Sequence, residues 1–179
     1  MLSGRASGQA RRGRDRGPDA PRCLGDLAET KLHHLFDYTF LTAELANALG
    51  RAGEAAPGLA TIEAALALSE RNAESWCVAE LLRIKGELLL LQAEEGAAAA
   101  GEDCFRQALD CARRQGTLSW ELRAAALARL LHDQGRSAEA AAQLQPVDDR
   151  FSEGFDTADL KDAKALLDAL AAPSAQWGR

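Results

Sequence analysis

The chain has 179 residues and a formal net charge of -6; 47% of the residues are hydrophobic and only 5% are aromatic. This length allows one domain with a sizeable core, and the absence of any run of about 18 uncharged apolar residues excludes a typical membrane span. Abundant alanine and the lack of alternating β-branched runs predict an all-α protein.

The amino-terminal stretch 1–34 differs in composition from the rest of the chain. It is rich in Arg, Gly, Ser and Pro, and residues 1–22 carry six arginines against two aspartates. We predict a basic, disordered arm, and we weigh this interpretation above nucleic-acid binding. The arm lacks the apolar segment of a secretory signal, so we expect a cytoplasmic protein. Cys23, His33 and His34 match no zinc-ligand spacing, and no metal is expected.

Residues 35–172 are predicted to form a domain of helical repeats, followed by a tail at 173–179. One pattern occurs three times, as Gly58-x3-Ile62-x2-Ala65, Gly101-x3-Phe105-x2-Ala108 and Ala140-x3-Leu144-x2-Val147. A helical segment with its own small residue precedes each copy, at Ala46, Gly86 and Ala128. Such self-similarity is typical of stacked helix-turn-helix units. We therefore predict antiparallel helix pairs at about 37–72, 74–116 and 118–152.

The first predicted pair begins near Tyr38. Its first helix is expected to bury a face that ends at Leu49 and comprises Tyr38, Thr42, Leu45, Ala46 and Leu49. Gly50 and Gly53 are expected to end this helix, and Pro57 suits the first turn of the next one.

The second pair begins with a helix that is apolar on two faces. One face holds Trp76, Ala79 and Gly86, and the other holds Leu81, Ile84, Leu88 and Leu91. A helix that is apolar nearly all round is packed on both sides, so we expect this one to lie in the interior.

The third pair and a last helix complete the predicted domain. Ser119 and Ser137 are predicted N-caps, and Pro146 should end or kink the second helix of this pair. A capping helix is expected over 156–171, with Asp156 as its N-cap, because the last repeat would otherwise expose an apolar flank.

The repeats resemble a known family. The motifs that carry the resemblance are Trp76-x2-Ala79-Glu80-Leu81-Leu82, Cys104-Phe105-x2-Ala108-Leu109, Ser119-x-Glu121-Leu122-Arg123 and Phe151-x-Glu153-Gly154-Phe155. Together they are similar to the carboxyl-terminal tetratricopeptide-like (TPR-like) repeats of large bacterial signalling ATPases and adenylate/guanylate cyclase-type proteins. The resemblance implies a right-handed superhelix that mediates protein-protein interaction in signalling. The distances from Ile62 to Phe105 and on to Leu144, 43 and 39 residues, exceed the common tetratricopeptide period of about 34.

The nucleotide-binding motifs of that family are absent from this sequence. No G-x4-G-K-[ST] loop occurs, and the glycine-rich stretches 50–53 and 96–101 lack the lysine and the hydroxyl residue that hold phosphate and metal. We therefore expect a non-catalytic scaffold without a cofactor. The alternative is a regulatory carboxyl-terminal fragment of an ATPase or cyclase whose catalytic domains are absent from this chain.

A concave groove along the first helices of the repeats is the predicted binding site, with candidate residues Asn47, Arg83, Glu87, Arg129 and His132. Arg83 and Glu87 are four residues apart and can pair on the helix surface, as can Arg129 and Asp133. These residues either solvate the surface or, through the two arginines, hold a partner's carboxylate.

Protein or peptide partners are expected, including a second copy of the chain. The amino-terminal edge near Tyr38 and Phe40 has no predicted cap, so self-association is expected there. Trp76 and Trp120 occupy equivalent places in successive repeats and are interpreted as packing residues rather than ligand anchors. The four cysteines are expected to be reduced thiols.

Overall fold

A computed structural model of the chain describes residues 38–123 and 125–172, which all lie in one compact unit, Asp37–Arg179. Every regular element within these residues is a helix, so the predicted all-α class is confirmed. The helices are α1 (38–51), α2 (Ala55–Arg71), α3 (Val78–Gln92), α4 (Ala97–Gln115), α5 (Leu118–Arg123), α6 (Ala125–Asp133), α7 (Ser137–Asp148) and α8 (Ala158–Ala171). None of the helices in these two ranges is long and apolar enough to cross a bilayer. The arm at 1–34, its Cys23, His33 and His34, and the tail at 173–179 lie outside the described residues.

Short turns lie between most successive helices of the described residues, and glycines in the left-handed conformation end several helices. Gly116 after α4 has φ +66°, and Gly135 after α6 has φ +77°. A residue with a Cβ is strained at such φ values, which explains why glycine occupies these positions.

Small residues let neighbouring helices approach closely at the positions that the repeat pattern singles out. An ideal Cβ built on Gly58 would lie 3.2 Å from the Ala46 carbonyl oxygen, and one on Gly101 would lie 3.3 Å from the Gly86 carbonyl oxygen. A Cβ on Gly86 would meet the ring of Phe105 at 2.5 Å. The small residues of the pattern therefore pack against one another across helix pairs α1–α2 and α3–α4.

Two apolar clusters form most of the core. One joins α1, α2 and α3 around Ile62, Leu81 and Leu88, and the other joins α4 to α8 around Phe105 and Leu131. Helix α3 lies between α2 and α4 and packs on both, which agrees with its predicted burial on two sides. Its Leu91, however, is 58% exposed, so the prediction that Leu91 is buried was wrong.

The predicted buried face of α1 was wrong at Tyr38 and Leu45, whereas Ala46 is buried and Thr42 and Leu49 are half-buried. The buried residues are the small side chains Thr39, Ala43, Ala46 and Gly50, whereas Tyr38 and Leu45 are exposed. The reason is steric: a Cβ on Gly50 would lie 2.7 Å from Leu88 Cδ2, so the large side chain at this contact comes from α3. A close helix contact of this kind requires small residues on α1.

Helix starts differ from the predicted serine and aspartate caps. Helix α5 already begins at Leu118, so Ser119 lies inside it, and Ser137 is the first residue of α7 rather than its cap. Thr157, not Asp156, precedes α8, and its hydroxyl donates to the Gly154 carbonyl at 2.8 Å. Pro146 lies two residues before the end of α7, in keeping with the prediction that it ends this helix.

Candidate functional site

One groove of about 490 Å³ runs over the surface of the domain. It is lined by residues of α1, α3, α5, α6 and α8, and none of its lining residues comes from α2, α4 or α7. The first helix of each pair and the final helix thus share this surface. Nine of the fourteen lining residues are charged: Glu44, Arg51, Glu80, Arg83, Glu87, Arg123, Arg129, Asp159 and Asp162.

Helical spacing brings these side chains to the groove. Glu44, Asn47 and Arg51 on α1 follow one another at three and four residues, as do Glu80, Arg83 and Glu87 on α3. Residues so spaced lie on one face of a helix. Helices α1 and α3 therefore each present one polar stripe to the groove while their small or apolar residues pack into the core.

A buried carboxylate, Glu80, lies at the centre of the groove wall. It is 5% exposed, and Arg83 donates to both of its oxygens, from Nε at 2.9 Å and from Nη2 at 2.8 Å. Arg123 adds a third hydrogen bond from Nη1 to Glu80 Oε1 at 2.9 Å. Burial by itself would raise the pKa of Glu80, but the hydrogen bonds and charges of the two arginines outweigh it and hold the pKa below its ordinary value.

Arg83 is committed to this network. Its Nη1 donates to Glu87 Oε1 at 2.5 Å, while its other donors bind Glu80. Burial alone would lower the pKa of Arg83, but Glu80 and then Glu87 raise it above its ordinary value. With its guanidinium held by two carboxylates, Arg83 stabilises the fold and is not available as the ligand clamp that the sequence suggested.

Arg123 connects the network to the last helix. Its Nε donates to Asp159 Oδ2 at 3.2 Å, while Nη1 binds Glu80. Desolvation would lower the pKa of Arg123, but Glu80 and then Asp159 raise it. The chain of charges therefore links α3, α5 and α8 across the groove.

Four charged groove residues have no ion pair or hydrogen bond among residues 38–123 and 125–172. They are Glu44, Arg51, Arg129 and Asp162, and all four are exposed. Because they are exposed and make no ion pair within the described ranges, these four side chains are available to bind a ligand.

Four of the five predicted site residues line the groove together: Asn47, Arg83, Glu87 and Arg129. The fifth, His132, is not among the lining residues, and its Nδ1 lies 3.0 Å from Ser137 Oγ at the turn between α6 and α7. Arg83 pairs with Glu87 as its spacing predicts, whereas no Arg129–Asp133 pair forms within the described part of the chain.

The sequence analysis missed Glu80, Arg123 and Asp159. Glu80 precedes Arg83 by three residues, which is a helical pairing distance and a usable signal. Arg123 lies 43 residues from Glu80 and 36 from Asp159, so no local spacing indicates these contacts.

A row of aromatic rings lies beside the polar stripes. The ring centroids of Phe40 and Trp76 are 6.3 Å apart, and those of Trp76 and Trp120 are also 6.3 Å apart. Such distances are typical of packed aromatic pairs. The three rings connect the starts of successive helix pairs, in keeping with a packing role for Trp76 and Trp120.

The described cysteines and acids form no evident metal centre. Cys77, Cys104 and Cys111 are free and buried, and desolvation raises the pKa of Cys77 to about 11. No group of three or more His, Cys, Asp or Glu residues among those described is arranged to hold a metal ion. The buried thiols are therefore packing residues.

No protein-family model matches this sequence, and no curated protein is significantly similar to it. The resemblance to the repeat region of signalling ATPases thus stays a hypothesis that rests on the motifs themselves.

Proposed function

We propose that the chain is a non-catalytic scaffold of TPR-like repeats, arranged as a right-handed superhelix, that binds a protein segment in its groove. The observation that carries this proposal is the groove's lining, which comes only from the first helix of each pair and from α8. A concave surface made by equivalent helices is how repeat proteins bind extended partners.

The chemistry of the lining supports a peptide rather than a small apolar molecule. Small-molecule pockets are mostly apolar with a few polar groups, whereas nine of the fourteen residues here are charged. Among the described residues the groove lining contains no Cys, His, Ser, Thr, Tyr or Lys, so its charged groups are guanidinium groups and carboxylates alone. A polar peptide is the ligand that such a groove fits.

The charged groove residues without a partner among the described residues indicate which charges the bound peptide carries. Arg129 on α6 has no ion pair or hydrogen bond from its guanidinium within the described part of the chain, and this group can hold a carboxylate through two hydrogen bonds. The carboxylate of Asp162 on α8, likewise without a partner among residues 38–123 and 125–172, faces the same groove. We infer a partner segment with charges of both signs, and electrostatic complementarity would set its specificity and orientation.

A peptide-display library selected on the full chain tests this proposal. We expect enrichment of peptides that contain both acidic and basic residues. Binding should fall about tenfold in Arg129→Glu, since a like charge then faces the peptide carboxylate. Arg114→Glu is the matched control, because Arg114 is exposed on α4, outside the groove. Equal binding by Arg129→Glu and the control would contradict the proposal.

A further inference from the structure

Helix α1 has a third face that neither the core nor the groove uses. Thr39, Ala43 and Ala46 point into the core, and Glu44 and Asn47 line the groove. The remaining face is apolar and exposed along its whole length; we call it the α1 stripe, and it consists of Tyr38, Leu41, Leu45, Ala48 and Ala52.

The exposure of the α1 stripe is large. Tyr38 is 59% exposed, Leu41 is 64% exposed and Leu45 is 54% exposed. A contiguous apolar patch of this kind marks an interaction surface.

The spacing of the stripe is that of a two-stranded coiled-coil seam. Its residues alternate at three and four positions, as the a and d positions of a heptad repeat do. The amide of Ala52 donates to the Ala48 carbonyl at 3.0 Å, so helical geometry continues to the end of the stripe. In this frame Glu44 and Arg51 immediately precede Leu45 and Ala52, which places both at g positions flanking the seam.

We propose that the α1 stripe binds the α1 stripe of a second copy of the chain, with the two helices antiparallel. In antiparallel pairs a positions face d positions, so Leu45 packs against Ala48 of the second copy and Leu41 packs against Ala52. Large side chains thereby meet small ones, which fills the seam without overpacking.

Charge complementarity favours a second copy of the chain as the partner and favours the antiparallel orientation of the two α1 helices. In the same register each Glu44 faces Arg51 of the second copy, and the two-fold axis generates this pair twice. A parallel pair would set Glu44 against Leu49 instead, so it would gain no such ion pair. The surface is therefore complementary to itself in one orientation.

Self-association through the α1 stripe is separate from peptide binding in the groove, and either can be disproved without the other. Pairing of the stripes engages Glu44 and Arg51 at the α1 rim of the groove and leaves Arg129 and Asp162 available to a peptide. A seam of two heptads is short, so the dimer should be weak and reversible.

Sedimentation equilibrium of the full chain from about 1 to 200 µM tests the pairing. The expected mass rises with concentration from 19.1 kDa toward twice that value. The variant Leu41→Glu/Leu45→Glu should stay monomeric throughout and remain folded by circular dichroism, since both side chains are exposed. Phe155→Glu is the matched control, because Phe155 is 62% exposed but lies before α8, outside the stripe, and its dimer should persist.

A charge exchange at low salt tests the antiparallel register. Glu44→Arg alone places arginine opposite arginine and should weaken the dimer about tenfold, whereas Glu44→Arg/Arg51→Glu should restore it. A strictly monomeric wild type overturns the proposal, as does a dimer that survives Leu41→Glu/Leu45→Glu. Failure of the double exchange to restore association overturns the antiparallel pairing.

Discussion

Glu80 and Glu139 each bind two arginines, yet they do so in contrasting surroundings. Glu80, 5% exposed, binds Arg83 and Arg123 in the groove wall. Glu139, with 37% of its side chain exposed, binds Arg106 and Arg136 between α4 and α7, both at 2.7 Å. Glu102 completes this outer cluster through the same two arginines. Similar distances with different burial mean that geometry alone does not rank the two networks.

Burial decides how much each network matters. Glu80 is buried and has lost its water, so removing it takes from Arg83, which is itself poorly solvated, two of the three hydrogen bonds that its guanidinium makes among the described residues. An exposed ion pair exchanges one set of contacts for water at little cost. The inner network should therefore hold the domain together, and the outer cluster should be close to dispensable.

The largest effect is expected for Glu80→Ala. Arg83, whose side chain is only 14% exposed, would keep its charge and lose two hydrogen bonds. We expect the free energy of unfolding to fall by about 3 kcal/mol, as measured by urea denaturation. If Glu80→Ala lowered the free energy of unfolding no more than an exposed substitution such as Arg114→Ala, the proposed stabilising role of Glu80 would be wrong.

A smaller effect is expected for Arg123→Met, which cuts the link to α8. Arg123 is 42% exposed, so solvent screens its charge, and the loss should not exceed about 1 kcal/mol. Because Glu80 and Arg123 share one hydrogen bond, the double variant with Glu80→Ala should lose less than the sum of the single variants. Strict additivity would show that the two residues act independently.

At acidic pH the difference in stability between the wild type and Glu80→Gln should disappear. The pKa of Glu80 is lowered in the folded chain from its ordinary value of 4.5, so its stabilisation is complete above pH 4.5 and is lost as the pH falls toward the lowered value. Thermal unfolding of both proteins from neutral to acidic pH measures the gap between them. If the difference in melting temperature stayed constant or widened below pH 4.5, the lowered pKa of Glu80 would be wrong.

The smallest effect is expected for Glu139→Gln. Hydrogen bonds from Arg106 and then Arg136 lower the pKa of Glu139, but both arginines keep Glu102 as a partner when Glu139 is replaced. The melting temperature should change by less than about 2 °C. A loss as large as that of Glu80→Gln, measured side by side, would show that burial does not separate the networks.

The sequence predicted the carboxyl-terminal ends of several helices because these limits are local, whereas the predicted N-caps were wrong. Gly116 and Gly135 close helices in the left-handed conformation, and the repeated small residues mark where helices touch. The face of α1 was mispredicted because large side chains were assumed to be buried. At Gly50 the neighbouring helix instead supplies Leu88, and no property of α1 alone reveals this.

The groove was predictable in part for the same reason. Equivalent positions in the repeats identified Asn47, Arg83, Glu87 and Arg129, because helical periodicity carries them to one side. The roles of these residues depend on contacts that are distant in sequence. The inner network spans 43 residues between Glu80 and Arg123, so the sequence could not show that Arg83 is occupied and Arg129 is free.

Amide hydrogen exchange, measured with and without a display-selected peptide, tests the binding groove most directly. Peptide binding should slow exchange in α1, α3, α5, α6 and α8, whose residues line the groove, and leave α2, α4 and α7 unchanged. Protection confined to α2, α4 and α7, or no protection at a saturating peptide concentration, would contradict the proposal that this concave surface is the binding site.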